Sequence, residues 1–586
     1  MRYHVLACDY DGTLATDGRV GPATVKALER LLATGRKLVL VTGRELDQLL
    51  DIFPEIHFFA SVVAENGALL YDPASKAEKV LCKAPPEAFV STLRARGVAP
   101  ISVGRVIVAT WRPHEAAVLD TIRELGLEMQ VIFNKDAVMV LPSGVNKATG
   151  LSAALAQLGY SAHETVGVGD AENDHALLGL CECGAAVANA LPGLKAAVDL
   201  TLTGDHREGV AELIDQIVEN DLGMMEGRLA RHRLLLGQAA GDQEIYLPPY
   251  GRTILIAGPS GSGKSTAASS VLEQLAAHRY QFCIIDPEGD FENLDSAITL
   301  GTRQHGPAVD EVMKTLASSR ETSVVINLVG LPVADRPTFF LSLLPHLQEM
   351  RARTGHPHWL IMDEAHHLLP AAWEPGLHAL TDDWRRVVLI TVHPGQLARA
   401  ALAGVEAVML VGQQPQATLD QFYAGLGESS STLDESDLAD GEVFLWSKEK
   451  RSGHKVRLTP SRLQRRRHGR KYAEGELPPD RSFYFQGPEG KLNLRAQNLM
   501  LFMQLADGVD DATWTYHLQQ GDYSRWFAER IKDETLANQA RDVERQAELS
   551  PLESRAQIRF LIEQLYTAPT GPPLPMPGTD AASAQK

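Results

Sequence analysis

A short apolar run, Ile254 to Ala257, empties into Gly258-Pro259-Ser260-Gly261-Ser262-Gly263-Lys264-Ser265-Thr266. The run reads as a buried strand, and the glycine-rich stretch after it reads as a phosphate-cradling loop that opens a helix at Ser265. Glycines at 258, 261 and 263 let successive backbone N–H groups face one point, the concave anion site that takes nucleotide phosphates. Lys264 would then reach the β- and γ-phosphates of ATP, and the Ser265 hydroxyl would ligate Mg²⁺. About a hundred residues on, the apolar stretch Trp359 to Met362 delivers Asp363-Glu364-Ala365-His366. An acidic pair at a strand end supplies the rest of a nucleotide hydrolase: Asp363 toward Mg²⁺, Glu364 to polarise the attacking water.

A second constellation precedes this one. Asp9 and Asp11 stand one residue apart in Asp9-Tyr10-Asp11-Gly12-Thr13, directly after the apolar run Tyr3 to Cys8. Two carboxylates at the carboxyl end of a strand lie where open α/β sheets bind ligands. Together they could ligate Mg²⁺, one also serving as nucleophile and the other as acid/base. A strand over Lys37–Val41 ends in Thr42-Gly43-Arg44, whose hydroxyl and amide suit a phosphate oxygen. Lys147 opens a helix, and a strand over Thr165–Val168 ends in Gly169-Asp170-Ala171-Glu172-Asn173-Asp174. An acidic pair, a hydroxyl, an ammonium and a second acidic pair, in that order, make the inventory that phosphoryl transfer needs: positioning and neutralised charge.

The chain that positions these groups has 586 residues, 44% apolar and 22% charged, with a net charge of -18. Its length asks for three or four domains and its composition allows large cores. The acidic balance makes the whole molecule repel nucleic acid and anionic membrane, though a local basic patch could still bind either. Cys8, Cys82, Cys181, Cys183 and Cys283 form no C-x-x-C pair. Neither a disulfide framework nor a zinc site is indicated, which fits a reducing cytoplasm. No apolar run reaches the length of a membrane span.

The four N-terminal motifs resemble those of the haloacid dehalogenase superfamily of phosphatases, in the subgroup with a type IIB cap. The resemblance extends to the closing segments A-V-A-N-A-L-P-G-L-K-A-A-V-D and G-D-H-R-E-G-V-A-E-L-I. It implies that Asp9 becomes an aspartyl-phosphate and that Asp11 is the acid/base. It implies further that Thr42, Gly43, Lys147 and Asn173 hold the phosphoryl group, and that Asp9, Asp11, Asp170 and Asp174 form the metal shell. The core is expected over residues 1–80 and 143–220. The insert, 81–142, reads as a small α/β cap of helix 86–96, strand 101–110, helix 114–125 and strands 129–134 and 137–141, with Trp111, Arg112 and His114 as its chemically interesting residues. A cap of this size favours a small phosphorylated metabolite of the sugar phosphate or phosphoglycolate class.

The second half is similar to the HerA/FtsK class of P-loop ATPases, on D-P-E-G-D-F, N-L-V-G-L-P, D-E-A-H-H-L-L-P and T-V-H-P as well as the loop itself. That resemblance implies a ring, a hexamer, and an arginine acting across a subunit boundary, with Arg385 or Arg386 as candidates. Val392 stands where the class carries a polar sensor, and no β-barrel domain precedes the ATPase.

The expected architecture is therefore α/β: two doubly wound domains, a capped phosphatase core and a P-loop ATPase over 243–460, joined by a helical linker, 221–242. A basic hinge, 461–475, then leads to a helical module, 476–566, and a disordered tail, 567–586. From Lys448 to Lys471 basic residues crowd together, either as a footprint for a phosphate backbone or as a contact to the acidic body. The function expected is a Mg²⁺-dependent phosphatase fused to an ATPase. The alternatives are a DNA-associated motor with an accessory phosphatase and an ATP-gated switch that binds a protein partner.

Overall fold

The computed structural model describes residues 1–586 apart from 373–383, 434–437, 462–476, 567–586 and the single positions 135, 293, 303, 478, 489, 491, 532 and 547. Residues 1–460 form one compact unit, and a second begins at Ser461.

The sequence Val-Leu-Ala-Cys-Asp, Val5–Asp9 (β1), is buried throughout, as a strand covered on both faces must be. It is followed by Lys37–Val41 (β2), Ser61–Ala64 (β3), Leu69–Asp72 (β4) and Ala77–Val80 (β5). The cap strands come next: Ser102–Val103 (β6), Val108–Trp111 (β7), Met129–Asn134 (β8) and Ala137–Pro142 (β9). The core resumes with Thr165–Gly169 (β10), Cys183–Ala186 (β11) and Leu200–Thr201 (β12), giving an eight-stranded sheet in the order β12-β11-β10-β1-β2-β3-β4-β5. β1 runs parallel to β2 on one side and β10 on the other, with Asp9 opposite Val41 and Cys8 opposite Val168. The carboxyl ends of three neighbouring strands thus release Asp9, Thr42 and Asp170 along one edge. The helix Lys147–Leu158 is fixed at its start by a capping box in which Asn146 accepts from the N–H groups of Ala148 and Thr149. That cap holds Lys147 in the first turn, and the helix stops at Gly159, φ 78°.

The cap is a four-stranded antiparallel sheet, β6-β7-β9-β8, packed on the helices Glu87–Ala95 and Glu115–Glu124. The single strand expected over 101–110 is broken. The buried Glu65 carboxylate accepts the N–H groups of Arg105 (2.7 Å), Val106 (2.7 Å) and Ile107 (3.0 Å), donors that a continuous strand would have spent on its neighbour.

In the second domain the strands are Leu234–Gln238 (β13), Glu244–Leu247 (β14), Thr253–Ala257 (β15), Phe282–Asp286 (β16), Ala297–Leu300 (β17), Ser323–Asn327 (β18), Trp359–Met362 (β19), Val387–Thr391 (β20), Ala407–Val411 (β21), Glu442–Ser447 (β22) and Ser452–Leu458 (β23). They form one sheet in the order β14-β13-β23-β22-β21-β15-β20-β19-β16-β18-β17. The seven strands from β21 to β17 in that order are parallel; the remaining four pair antiparallel. The expected helical linker 221–242 is corrected here. It holds short 3₁₀ turns and then β13, whose Gly237 lies opposite Leu458 of β23, because the apolar run Leu234–Leu236 finds its cover in the ATPase sheet.

The two α/β domains meet through buried polar groups. Glu164, 1% exposed, faces His358 Nε2 at 2.6 Å and His356 Nε2 at 3.1 Å. Glu182 meets His163 Nδ1 (2.8 Å), Arg2 (3.4 Å) and the Tyr280 hydroxyl (3.2 Å). Arg2 and Arg386 both lie against the Tyr250 ring, 4.6 and 4.7 Å from its centre.

In the second unit Phe483–Phe485 (β24) and Leu494–Ala496 (β25) form a hairpin beside the helices that run from Leu499–Gly508 to Pro551–Tyr566. The first helix after the hairpin starts at Leu499, where the Asn498 side chain caps it. Phe483, Phe502, Trp514, Tyr523 and Trp526 fill its core. The basic positions 462–471 and the tail 567–586 lie outside the described residues. Of the described basic residues, Arg451 pairs with Glu428 and Arg457 with Glu442.

Candidate active sites

Asp9, at the end of β1, is 3% exposed and accepts from Lys147 Nζ, which also donates to Asp174 Oδ1 at 2.7 Å. Asp174 is oriented by the N–H groups of Asp170 and Ala171, each 3.0 Å from its Oδ2. Asp170 Oδ1 takes the Thr13 hydroxyl at 3.1 Å, and Gly12, φ 82°, lies so close that a β-carbon there would stand 2.4 Å from Asp170 Oδ2. No side chain larger than hydrogen fits at residue 12. Burial, then Asp174 and Asp170, push the Asp9 carboxyl well above the usual carboxylate range against the pull of Lys147. Burial pulls the Lys147 ammonium down, but Asp174 and Asp9 outweigh it and leave it above its ordinary value.

Oxygen atoms of Asp9, Asp170 and Asp174 lie within 4.8 Å of one another. Three carboxylates against one ammonium leave two negative charges in a buried pocket. An all-oxygen set with that charge fits a hard divalent cation such as Mg²⁺. Asp11, expected in the same shell, is not part of the cluster: its side chain is held by Arg44, Nε to Oδ2 and Nη2 to Oδ1, both at 2.6 Å. Thr42 is buried and its hydroxyl accepts the Arg44 N–H at 3.1 Å. Gly43 faces Met139 of the cap and the Asn173 amide, and Asn173 Nδ2 donates to Asn66 at 3.0 Å. Two residues that sequence reasoning missed are thereby placed at the site: Asn66, and Glu65, which ties core to cap. Their signal was slight, an acidic residue and an amide before a glycine in a loop. In the cap, Trp111 is 53% exposed, Arg112 lies over Phe133, and His114 meets the Ala99 carbonyl.

In the second domain the loop Gly258–Gly263 leaves β15, and the helix Lys264–Ala277 starts behind Gly263, φ 103°. Gly258 has no room for a side chain, since a β-carbon would stand 2.2 Å from the Val411 carbonyl. Pro259, Ser260 and Gly261 form the exposed crest, and Ser265 and Thr266 follow Lys264 into the first helical turn. Lys264 Nζ folds back onto the carbonyls of Gly258 (3.1 Å) and Pro259 (3.0 Å), the position a phosphate would take over. The Ser262 hydroxyl is buried without a partner among the described residues. Asp363 and Glu364 leave β19 two strands away, and burial, with Lys264 opposing, lifts the Glu364 carboxyl above its usual range. Glu364 has φ 38°, a left-handed backbone that a non-glycine residue adopts at a cost. Between them β20 ends in Thr391, whose hydroxyl meets His366 Nδ1 (3.0 Å) and the His393 N–H (3.0 Å). Arg386 is not free to serve a neighbouring subunit, being buried on Tyr250; Arg385 is exposed.

Two further groups at the domain junction, His163/Glu182/His232 and Glu164/His356/His358, have the donor types of metal ligands. Their hydrogen bonds argue otherwise. His358 Nδ1 accepts the Gln281 N–H at 2.8 Å, so its proton sits on Nε2, facing Glu164. Glu182 already faces the Arg2 guanidinium.

The family model for haloacid dehalogenase-like hydrolases matches residues 6–94 and 124–214. A phosphoglycolate phosphatase of Natronomonas pharaonis is 30% identical over 227 residues, 37% of this chain and 98% of that protein. The chain belongs to the haloacid dehalogenase-like hydrolases. Similar to this hydrolase too are phosphoglycolate phosphatase 2 of Saccharolobus solfataricus, 28% identical over 233 residues (37% of this chain, 94% of the relative), and an HMP-PP phosphatase of Serratia proteamaculans, 28% over 240 residues (33% and 86%). Beyond the residues that the hydrolase model matches, the model of an AAA domain matches residues 250–404. The protein is thus a phosphatase that also carries a P-loop ATPase domain. Among the described residues no helix is long and apolar enough to cross a membrane.

Proposed function

We propose that the N-terminal domain is a Mg²⁺-dependent phosphatase for a small phosphorylated metabolite, working through an aspartyl-phosphate on Asp9. The observation that carries this reading is the convergence of Asp9, Lys147, Asp170 and Asp174 in one buried pocket at the carboxyl edge of β1 and β10. Asp9 Oδ attacks the phosphorus in line while Lys147 and the Thr42 hydroxyl hold two of its oxygens. Asp11, released from Arg44 as the substrate's phosphate draws that guanidinium, takes up a proton from solvent and passes it to the leaving oxygen. It then takes a proton from the water that cleaves the aspartyl-phosphate. Asp9, Asp170 and Asp174 would hold the Mg²⁺, which supplies charge neutralisation to the phosphoryl oxygens. Asn173, on Asn66, braces the phosphate side of the pocket. Named relatives act on phosphoglycolate and HMP-PP, which supports a compact substrate.

The second domain we read as a HerA-like ATPase: Gly258 to Thr266 cradle ATP, Ser265 and Asp363 hold its Mg²⁺, and Glu364 orients the attacking water. A ring would take its trans-acting arginine from Arg385. Nucleic acid is the less favoured partner, since the net charge of -18 opposes a polyanion. Phosphate release from a panel of phosphoglycolate, sugar phosphates and nucleotide monophosphates, with and without ATP, tests the assignment. Turnover of none of them, or turnover that survives Asp9→Asn, rejects the phosphatase mechanism.

A further inference from the structure

The end of β20 lies between the end of β15, which opens the phosphate loop, and the end of β19, which delivers Asp363 and Glu364. A phosphate on Lys264 and a water on Glu364 would therefore both stand before the end of β20. There Thr391 supplies a hydroxyl, and the next residue, Val392, has no polar side chain. Thr391 is fully buried, and its hydroxyl oxygen accepts the His393 N–H at 3.0 Å. Its other neighbour comes from across the site: His366 Nδ1, 3.0 Å away, on the 3₁₀ turn Ala365–His367 that follows Glu364. The same Nδ1 is 3.4 Å from Glu364 Oε2, an oxygen that is buried and has no hydrogen-bond partner among the described residues. Backbone bonds tie the chain after this turn to the chain after β20, from the Ala371 N–H to the Gln396 carbonyl (2.7 Å) and from the Ala398 N–H to that of Leu369 (2.9 Å). Both neighbours of the imidazole thus belong to one braced unit.

An ionised carboxylate can only accept, so an imidazole nitrogen that faces one carries the proton. His366 Nδ1–H is then a single donor between two acceptors, nearer the Thr391 hydroxyl than Glu364. An N–H···O bond is usually about 2.9–3.0 Å long, so a shift of roughly half an ångström brings Oε2 into range. Buried acceptors are paired in folded proteins, which gives that shift a driving force. Glu364 also keeps its left-handed φ of 38° at a cost, as residues held in place for function do. A ring that only filled space would need no nitrogen at this corner. On the reading that Glu364 orients the attacking water, we propose that His366 is a positioning residue for ATP hydrolysis: anchored on Thr391, its Nδ1–H turns to Glu364 Oε2 when nucleotide fills the site and fixes the carboxylate against the water.

Two amide substitutions separate the nitrogen from the bulk. Asn carries its amide nitrogen at the δ position, where His366 carries Nδ1, and Gln carries it at the ε position. In the full chain His366→Asn should keep kcat within about threefold of the wild type, whereas His366→Gln should lose about tenfold or more, with binding of a fluorescent ATP analogue unchanged in both. Equal kcat in the two variants, or a loss confined to ATP affinity, overturns the proposal. Should His366→Gln melt at a lower temperature, a double-mutant cycle in single-turnover hydrolysis decides. Added to Glu364→Gln, the His366→Gln change should cost nothing more, and a further loss of about tenfold would mean that the histidine acts on the fold instead, which overturns the proposal. Glu364→Gln alone tests the underlying reading. Normal hydrolysis in that variant removes Glu364 and the proposal with it, while an inactive Glu364→Gln beside a normal His366→Gln removes the proposal alone.

Discussion

The Arg44 guanidinium clasps the Asp11 carboxylate through two parallel hydrogen bonds of 2.6 Å, while Asp9, two residues earlier, faces Lys147 instead. The two acidic groups of one motif are thus committed to different cations before any substrate arrives. Replacing Arg44 should separate binding from chemistry. Arg44→Ala is expected to raise KM about tenfold, the worth of roughly 1.4 kcal/mol for one lost charge-assisted contact to phosphate, with kcat changed less. Asp11→Asn should do the reverse, lowering kcat with KM nearly kept. Steady-state kinetics of the two variants on one phosphomonoester check this, and a kcat loss in Arg44→Ala as large as in Asp11→Asn would contradict it.

Asp9→Asn should abolish turnover by about a thousandfold or more, because an amide cannot be the nucleophile. It should also stabilise the metal-free protein. Burial with Asp174 and Asp170 raises the Asp9 carboxyl well above its usual range, so a neutral side chain relieves charge that the fold tolerates poorly. Thermal melts in a chelator are expected to show a higher midpoint for Asp9→Asn than for the wild type, and added Mg²⁺ should stabilise the wild type more than the variant. A lower midpoint for the variant in chelator counts against the charge argument.

Lys264 and Glu364 should fail in different ways. Lys264→Ala removes the ammonium that now rests on the Gly258 and Pro259 carbonyls, so nucleotide affinity falls. Glu364→Gln leaves that cradle whole and should bind ATP but hydrolyse it at least about a hundredfold more slowly. Equilibrium binding of a fluorescent ATP analogue beside single-turnover hydrolysis separates the two. Normal hydrolysis by Glu364→Gln would remove Glu364 from the reaction.

The junction of the two domains should be most stable near neutral pH. Glu182 is buried, and His163, His232 and Arg2 together overcome that burial and hold its carboxyl at about 2, against an ordinary 4.5. A depressed carboxylate stabilises above its ordinary value and loses that contribution as pH falls toward 2. His358, pushed by burial to about 3, adds to the loss on the acid side, since the unfolded chain takes up its proton first. His163 works the other way. Burial opposes its charge, but Glu182 raises it above 6.5, so its contribution is full below 6.5 and vanishes as pH rises through the higher folded value. Denaturation of the wild type across pH should therefore show stability falling off on both sides, and His163→Gln should flatten the alkaline limb while also shrinking the acid limb, because Glu182 loses its largest partner. An alkaline limb unchanged in that variant would show that His163 is not its source.

Much of the fold was legible from residue order. The strands Trp359–Met362 and Val387–Thr391 fall where their apolar runs end, because a parallel strand buried on both faces leaves an unbroken signature. The edge of the ATPase sheet was not legible. β23 sets His454, Lys455 and Arg457 among apolar residues, and β13 comes after an arginine-bearing stretch whose pattern suits a helix as well. Glu65 escaped for a different reason: its partners are three backbone N–H groups about forty residues away, and backbone donors have no sequence signature. Arg44 was seen as part of a motif, but its grip on Asp11 depends on the meeting of β1 and β2 ends, a matter of register.

The pairing of Gly237 with Leu458 also sets a timetable for synthesis. At roughly 5–20 residues per second the ribosome needs about 10–45 s to pass from one to the other. Through that interval β13 waits with only its hairpin partner β14 beside it. Long-range pairing of this kind is the slow step of sheet formation. A nascent chain stalled between β14 and β23 would thus display an open ATPase edge to whatever chaperone or neighbouring chain meets it first.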